Sequence, residues 1–228
     1  MTQTLVQELF DHAVHIGHIS EKWNPKMRSF IYGKKFNVHI FDLEKTAVFL
    51  ERACQFLEKS SKEGRVILLV STKPQCDVMV KEAAKECDMP YVTGKWISGL
   101  LTNFETIQRR IRYLIDLEKQ EATGEFDKYT KKERLNLKKT MEKLENALGG
   151  VKCLKKLPDV VVVFDTVRDA IAVAEADRLH IPLLGIVDTN ADPEKITYPI
   201  PANDDSVKSL RYLVNTISSA IQKGKKSS

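Results

Sequence analysis

The sequence predicts an α/β fold in which a doubly wound parallel sheet carries an inserted antiparallel coiled-coil hairpin. Two short apolar runs, residues 159–164 and 181–187, are rich in β-branched residues, as are parallel strands covered on both faces. Apolar residues at roughly helical spacing lie between them and complete a β-α-β unit: Val167, Ile171, Ala174 and Leu179. Between residues 102 and 150 the apolar spacing follows steps of three and four, typical of a helical hairpin.

Composition fits one domain with an insertion. The chain has 228 residues, of which 43% are hydrophobic, enough for one sizeable core. Its formal net charge is +5, and the surplus gathers in residues 22–35, in several helices and at the end of the chain. Such a balance suits an anionic partner, but a lysine-rich solvated surface would look similar.

The four cysteines form no CxxC pair and are expected to be reduced core residues, which argues against a zinc cluster or a disulfide framework. The first residues lack the pattern of an export signal, and no apolar segment is long enough to span a bilayer. We therefore expect a soluble protein that is not exported.

The chain opens with apolar residues at helical spacing, which predict a short amphipathic helix ending near Gly17. His12, His15 and His18 follow one another at steps of three. Because residues three apart share a helix face, metal binding is one interpretation. The other is that these rings cap helix carbonyls or pack against aromatic side chains.

Cations alternate with aromatic residues between positions 22 and 36, around Pro25 and Gly33. Aromatic rings can stack on bases while cations meet phosphates, so this segment is the best nucleic-acid candidate in the chain. The alternative is an ordinary β-hairpin with a solvated face. The residues expected to contact RNA here are Lys22, Trp23, Asn24, Lys26, Arg28, Lys34 and Lys35.

The next elements alternate between strand and helix. A strand is predicted over residues 38–41, followed by a helix over 43–61 with Asp42 as its N-cap, and a further strand over 65–70. Lys73 stands just past that strand at a helix start, a position suited to a phosphate, although no GxxxxGK[ST] element surrounds it. After a short strand at 90–93, Lys95 and Trp96 again pair a cation with a large ring.

The hairpin is predicted to occupy residues 102–150, between an α/β part at 1–101 and a second α/β part at 151–221. Capping boxes are expected at both helix starts, Thr102 with Glu105 and Thr130 with Glu133. Arg109, Arg110 and Arg112 form a basic cluster near the base of the hairpin, whose outer faces carry dense charge of both signs.

In the second α/β part, Thr166 is the expected N-cap of the helix in the β-α-β unit. A short edge strand is predicted over residues 196–200, bracketed by prolines. The last helix begins at Ser206 with Val207, Leu210 and Leu213 on its buried face. Residues 222–228 are predicted to be a basic disordered tail.

Several motifs, in order along nearly the whole chain, resemble one family. They include HxGH at 15–18, WNPKM at 23–27, GLLTNFET at 99–106, FDKYTKKE at 126–133, LPDVVVV at 157–163, and IPLLGIVDTNADP at 181–193 with IPANDD at 200–205. Together they are similar to the bacterial form of small-subunit ribosomal protein two. The resemblance implies a flavodoxin-like α/β domain with a coiled-coil hairpin, no catalytic activity and no small-molecule substrate.

The resemblance also implies a function and partners. Members bind small-subunit ribosomal RNA, lie among neighbouring small-subunit proteins, and in many bacteria hold the mRNA-binding ribosomal protein one. A cytoplasmic location on the ribosome follows. Lys95 stands where the family usually has arginine, and since lysine lacks the planar bidentate fork, a looser contact is expected there. The remaining expected RNA contacts are Lys73, Lys95, Trp96, Asn103, Arg109 and Arg110, with packing favoured over stacking for both tryptophans.

The alternative function is that of a metal-dependent hydrolase. Asp165, Asp188, Asp204 and Asp205 lie near predicted strand ends, where ligands of open α/β sheets bind. His18 with Asp188 and Asp204 is the candidate metal set, either for catalysis or for a structural divalent ion. Helix capping and loop hydrogen bonds would also explain these aspartates, and no other cofactor is expected.

Overall fold

The structure is a computed structural model that describes residues 2–226. In chain order its elements are α1 (Thr2–Asp11), β1 (Ile16–Ile19), β2 (Ile31–Lys35), β3 (Val38–Phe41), α2 (Leu43–Lys62), β4 (Ile67–Ser71), α3 (Pro74–Glu86), β5 (Tyr91–Thr93), α4 (Phe104–Ala122), α5 (Lys131–Leu148), β6 (Val160–Val163), α6 (Ala170–Arg178), β7 (Leu183–Val187), β8 (Tyr198–Pro201) and α7 (Val207–Lys226). None of the helices formed by these residues is long and apolar enough to cross a membrane.

The central sheet has five parallel strands in the order β5-β4-β6-β7-β8. Counted along the chain, this is the flavodoxin-like order 2-1-3-4-5. Every residue of β4, β6 and β7 is buried, because helices cover both faces. The predicted α/β fold class is confirmed, with β8 at the predicted edge.

Two apolar cores lie on opposite faces of this sheet. Alternate strand residues such as Leu69 and Val162 face α1, α2, α3 and α7. The residues between them, such as Val70 and Val163, face α4 and α6. This alternation follows from the period of two in a strand, and it explains why these strand sequences show no polar face.

A small antiparallel sheet, with strand order β1-β3-β2, lies beside the carboxyl edge of the large sheet. It is joined to that edge at Gly17, where a Cβ atom would come within 2.5 Å of Thr189 Cγ2. Two short 3-10 helices, Ser20–Lys22 and Pro25–Phe30, connect β1 to β2. The segment of alternating cations and aromatic residues at 22–36, called the basic segment below, is therefore not a simple hairpin but a turn-rich stretch that ends in one.

α4 and α5 run antiparallel between β5 and β6. Lys138 pairs with Glu121 at 2.8 Å, and Lys152, beyond the end of α5, bonds to Glu118 of α4 at 2.5 Å. The base of this hairpin belongs to the core, because Ile107 and Leu148 are buried against the sheet. The predicted capping box at Thr130 is present, whereas its coiled-coil character stays a prediction.

Three local predictions at helix starts and ends are wrong. α1 ends at Asp11, so His15 and Gly17 lie outside the helix and the three histidines share no helix face. The Thr102 capping box is absent, because Asn103 occupies the N-cap position and the Thr102 hydroxyl donates to Glu175. α6 begins at Ala170, not after Thr166.

The predicted inward face of α6 is also wrong, and so is part of the predicted tail. Ala172, Val173 and Ala176 face the core, whereas Val167, Ile171 and Leu179 are exposed, because small residues allow the helix to lie closer to the sheet. α7 starts at Val207, which is exposed, and continues to Lys226. Residues 222–226 are thus helical, with Gly224 tightly packed on α2, while 227–228 lie outside the described residues.

Candidate nucleic-acid interface

The basic segment is anchored to the large sheet at its centre. The amide of Asn24 donates to the Thr189 carbonyl at 2.7 Å, and the Asn24 side chain accepts from the amide of Lys26 at 3.0 Å. Met27, within the second 3-10 helix, has a fully buried side chain. These contacts fix the backbone, so the cations on either side of Asn24 project from a defined surface.

Four cations of this segment, Lys22, Arg28, Lys34 and Lys35, have exposed side chains. None of the four has a carboxylate partner within residues 2–226, in contrast to Lys73 and Lys152. We call these four residues the open cations. Their charge is available to an external anion, because no acid in the described part of the chain neutralises it.

Lys26 differs from its neighbours because it is paired with acids inside the protein. Its Nζ lies 2.5 Å from Glu194 and 2.9 Å from Asp192. The hydrogen bonds to Glu194 and then Asp192 raise the pKa of Lys26. Its role in this structure is to tie the second 3-10 helix to the loop after β7, rather than to present a free charge.

Trp23 is half-buried and packs against His39 of β3, with ring centroids 5.1 Å apart and planes tilted by 37°. This contact agrees with the packing that the sequence favours for this ring. Both ring nitrogens of His39 are buried without a hydrogen-bond partner in the described chain, and burial is the main cause that lowers the pKa of His39. A neutral His39 suits this apolar contact with the indole.

The predicted phosphate contact of Lys73 is wrong, because its ammonium group is buried among acids. Lys73 Nζ lies 2.9 Å from Asp204 Oδ1, 2.8 Å from Asp205 Oδ1 and 3.0 Å from Asp165 Oδ2. Burial alone would lower the pKa of Lys73, but the hydrogen bonds to Asp205 and Asp204 outweigh it and raise that pKa. Lys73 thus joins the ends of β4, β6 and β8 across the carboxyl edge.

Trp96 is also internal, which agrees with the favoured interpretation that this ring packs rather than stacks on RNA. The ring is 7% exposed, and its Nε1 donates to Glu175 Oε1 at 3.0 Å. The same carboxylate accepts from the amides of Gly99, Leu101 and Thr102 and from the Thr102 hydroxyl. Glu175 therefore fixes the whole loop between β5 and α4.

Sequence reasoning missed Glu175. Burial would raise its pKa, but the hydrogen bond from Trp96 and those from the backbone amides outweigh burial and hold the pKa below its ordinary value. The available signal was a lone carboxylate on the same face as Ala172 and Ala176, where the small residues predict close packing against the sheet.

The other predicted contacts are exposed but scattered. Lys95 follows β5 on the fixed loop, and Asn103 occupies the N-cap position of α4. On α4, Arg109 pairs with Glu105 at 2.6 Å, whereas Arg110 has no acidic partner among the described residues. β5 and β7 are three strand positions apart, so the strand end before Lys95 lies roughly 14 Å along the carboxyl edge from the end of β7, after which the basic segment is anchored.

The aspartates at the carboxyl edge form ion pairs and caps. Asp188 Oδ1 contacts His18 Nδ1 at 3.0 Å, and its Oδ2 accepts from the amide of Asp204 at 3.2 Å. The hydrogen bond to Asp188 raises the pKa of His18. Asp165 accepts from the amides of the turn that precedes α6, which matches the capping interpretation.

The candidate metal set of His18, Asp188 and Asp204 is wrong in geometry. Within residues 2–226, no three histidine, cysteine or acidic side chains are arranged to hold one metal ion. Asp204 points to Lys73 instead, and burial followed by the nearby Asp188 and Asp165 raises its pKa to about 7. His12 and His15 follow the other interpretation, since His12 meets the Glu8 carbonyl and His15 stacks on Phe10, whereas His18 pairs with Asp188.

A flavodoxin-like parallel sheet with internal ion pairs along its carboxyl edge, and with exposed cations and a helical hairpin beside it, defines an α/β protein with a basic surface segment. The family model described as Ribosomal protein S2 matches residues 9–224, and the chain belongs to this family. The predicted family is thereby confirmed, and so are the absence of enzymatic activity and the cytoplasmic, ribosomal location that the family has.

Individual relatives are similar over nearly the whole chain. A protein of a Nitratiruptor species is 45% identical over 220 residues, which cover 96% of this chain and 82% of the relative. One from Dictyoglomus thermophilum is 44% identical, covering 99% and 92%, and one from Helicobacter hepaticus is 43% identical, covering 96% and 83%. Each is named small ribosomal subunit protein uS2.

Proposed function

We propose that this protein is a structural constituent of the small ribosomal subunit that binds small-subunit ribosomal RNA through its open cations. The observation that carries the proposal is the contrast within one segment. Lys26 is paired with two acids, while Lys22, Arg28, Lys34 and Lys35 around it have no acidic partner among residues 2–226. Lys95 and Arg110 are further exposed cations without an acidic partner among the described residues, but they lie apart from this segment. A rigid backbone with unpaired cations suits the phosphates of a folded RNA.

Replacing the four open cations by glutamine should weaken binding to purified small-subunit ribosomal RNA and reduce its salt dependence. Each lost phosphate contact lowers the slope of log affinity against log salt by roughly 0.7–0.9. We expect the slope to fall by about three when all four contacts are removed. Filter binding or fluorescence anisotropy over a series of salt concentrations measures this change.

The matched control removes four exposed lysines from α2 and α3, namely Lys59, Lys62, Lys81 and Lys85, again as glutamine. Both variants lose the same net charge, so general electrostatic attraction falls equally. We expect the control to keep most of the wild-type slope. Equal losses in the two variants would contradict a site at the basic segment.

We further infer that the α4–α5 hairpin is a docking arm for neighbouring small-subunit proteins, including the mRNA-binding ribosomal protein one. The supporting observation is a group of large apolar side chains exposed on it: Tyr113, Ile115, Tyr129 and Leu135, at 44–53% exposure. The hairpin base is part of the core, so only the outer surface is free to bind a partner.

Changing these four side chains to serine should reduce the amount of ribosomal protein one retained on isolated small subunits. Quantitative immunoblotting measures the amount of ribosomal protein one that is retained. We expect the salt-dependent RNA binding of this variant to stay at the wild-type level. A control carrying serine at the exposed Val48, Val78 and Val207 should retain the partner. Full retention by the hairpin variant would exclude this docking role.

A further inference from the structure

The tip of the β2–β3 hairpin has an unusual residue in a left-handed conformation. Lys35 pairs with Val38, so Phe36 and Asn37 form a two-residue loop with φ of 48° and 63°. Positive φ at both positions is the pattern of a type I′ turn, which favours asparagine or glycine. Asn37 suits this conformation, whereas a phenylalanine at the first position is disfavoured by its Cβ atom.

Packing of the Phe36 side chain inside the protein does not offset the unfavourable backbone conformation at this residue. The Phe36 side chain is 89% exposed, more than any other large apolar residue described. The hairpin itself is held firmly, since β3 pairs with both β1 and β2 and Phe41 at its end is buried. A strained and solvated ring on a rigid support indicates a contact made outside the chain.

The charges around the ring show which partner it fits. Lys35 Nζ lies 5.7 Å from the centroid of Phe36, and Lys34 precedes it on β2. Neither lysine makes an ion pair with any acid in the part of the chain described. An apolar protein groove would have to desolvate both ammonium groups, whereas an RNA strand offers phosphates to the lysines and a base to the ring.

We propose that Phe36 stacks on an unpaired nucleobase of RNA while Lys34 and Lys35 contact the flanking phosphates. This site rests on the proposed RNA-binding function and adds a single-stranded or bulged base as its ligand. Stacking requires an accessible base face, which the interior of a duplex does not offer. Tyr32 is not part of the site, since its exposed ring lies beside a recess lined by Asp42 and Glu44, whose carboxylates repel phosphate.

The test compares Phe36→Asn, Phe36→Leu and Phe36→Tyr in the full chain, with small-subunit ribosomal RNA as the probe. Asparagine suits the turn, so the Phe36→Asn protein should fold with unchanged or higher thermal stability. We expect its affinity to fall by about five- to a hundredfold. The salt slope should stay unchanged, because no phosphate contact is lost.

Leucine keeps an apolar side chain but has no aromatic face, so Phe36→Leu should lose affinity as Phe36→Asn does, while Phe36→Tyr retains it. Wild-type affinity in Phe36→Leu or Phe36→Asn would overturn base stacking. The matched control is Tyr32→Ser on the same hairpin; an equal loss there would overturn the assignment to Phe36. If the wild-type protein does not bind this RNA, the proposed function itself fails, a result distinct from the other outcomes.

Discussion

Replacing Lys73 with methionine should destabilise the protein by about 3–5 kcal/mol at pH 8, because three carboxylates lose their shared cation. The lysine is 6% exposed and contacts Asp165, Asp204 and Asp205. Methionine fills a similar volume, so cavity formation contributes little to the loss. What remains is a group of acids at the carboxyl edge, with Asp165 and Asp204 almost wholly buried.

The loss should depend on pH in a defined direction. Burial and neighbouring acids already raise the pKa of Asp204 to about 7, while Lys73 acts to lower it. Without Lys73, the folded-state pKa of Asp204 rises further above its unfolded value. The charged carboxylate then lowers the free energy of unfolding most at pH values above that folded-state pKa, and protonation removes this loss. The destabilisation should therefore shrink as pH falls from 8 towards 5, by up to about 1.4 kcal/mol per pH unit for each proton bound.

Urea unfolding at several pH values measures this change. The control is Lys81→Met on the same helix, α3, where the side chain is exposed and the effect should stay within about 0.5 kcal/mol. If Lys73→Met unfolds at pH 8, the same series at pH 5 still tests whether protonation restores the fold. A loss that is independent of pH would contradict the ion-pair explanation.

The sequence was sufficient for the central strands of the sheet because β4, β6 and β7 are buried on both faces. Residues 159–164 and 181–187 have no polar face, and this pattern identifies strands within two residues of their observed ends. α6 was misread because exposed Val167 and Ile171 imitate an apolar stripe, while the true inner face is built from alanine. Hydrophobic periodicity alone cannot distinguish an exposed stripe of large apolar residues from a buried face of alanines. That distinction requires the distance between the helix and the sheet.

The candidate site was harder to predict, since a charge on the sequence does not reveal its partner. Lys26 and Lys34 look alike in the sequence, yet only Lys26 faces Asp192 and Glu194, which are far along the chain. For Lys73 a signal existed. Parallel strands end at one edge, so the aspartates after β6 and β8 must meet there, and Lys73 follows β4 at the same edge.

Replacing Glu175 with glutamine should destabilise the protein by about 3 kcal/mol at pH 7, because an amide cannot satisfy the donors around it. Oε1 accepts from the Trp96 ring and the Gly99 amide, and Oε2 accepts from the Leu101 and Thr102 amides. Whichever way the glutamine is oriented, its NH2 group faces two N–H groups that cannot accept. The loop that carries Lys95 should then loosen.

The pH dependence of Glu175→Gln is distinct from that of Lys73→Met. The folded-state pKa of Glu175 is lowered, so its stabilisation is present above the unfolded value of about 4.3 and is lost as pH falls through the folded pKa. The difference from wild type should be full at pH 7 and diminish only below about pH 4.

Chemical unfolding monitored by tryptophan fluorescence measures this difference in stability, since the Trp96 ring donates directly to Glu175. The control is Glu105→Gln on the exposed surface of α4. A difference that is constant down to pH 3 would mean that the carboxylate charge does not hold this loop. In that case packing of the Trp96 ring alone would fix the path from β5 into the hairpin.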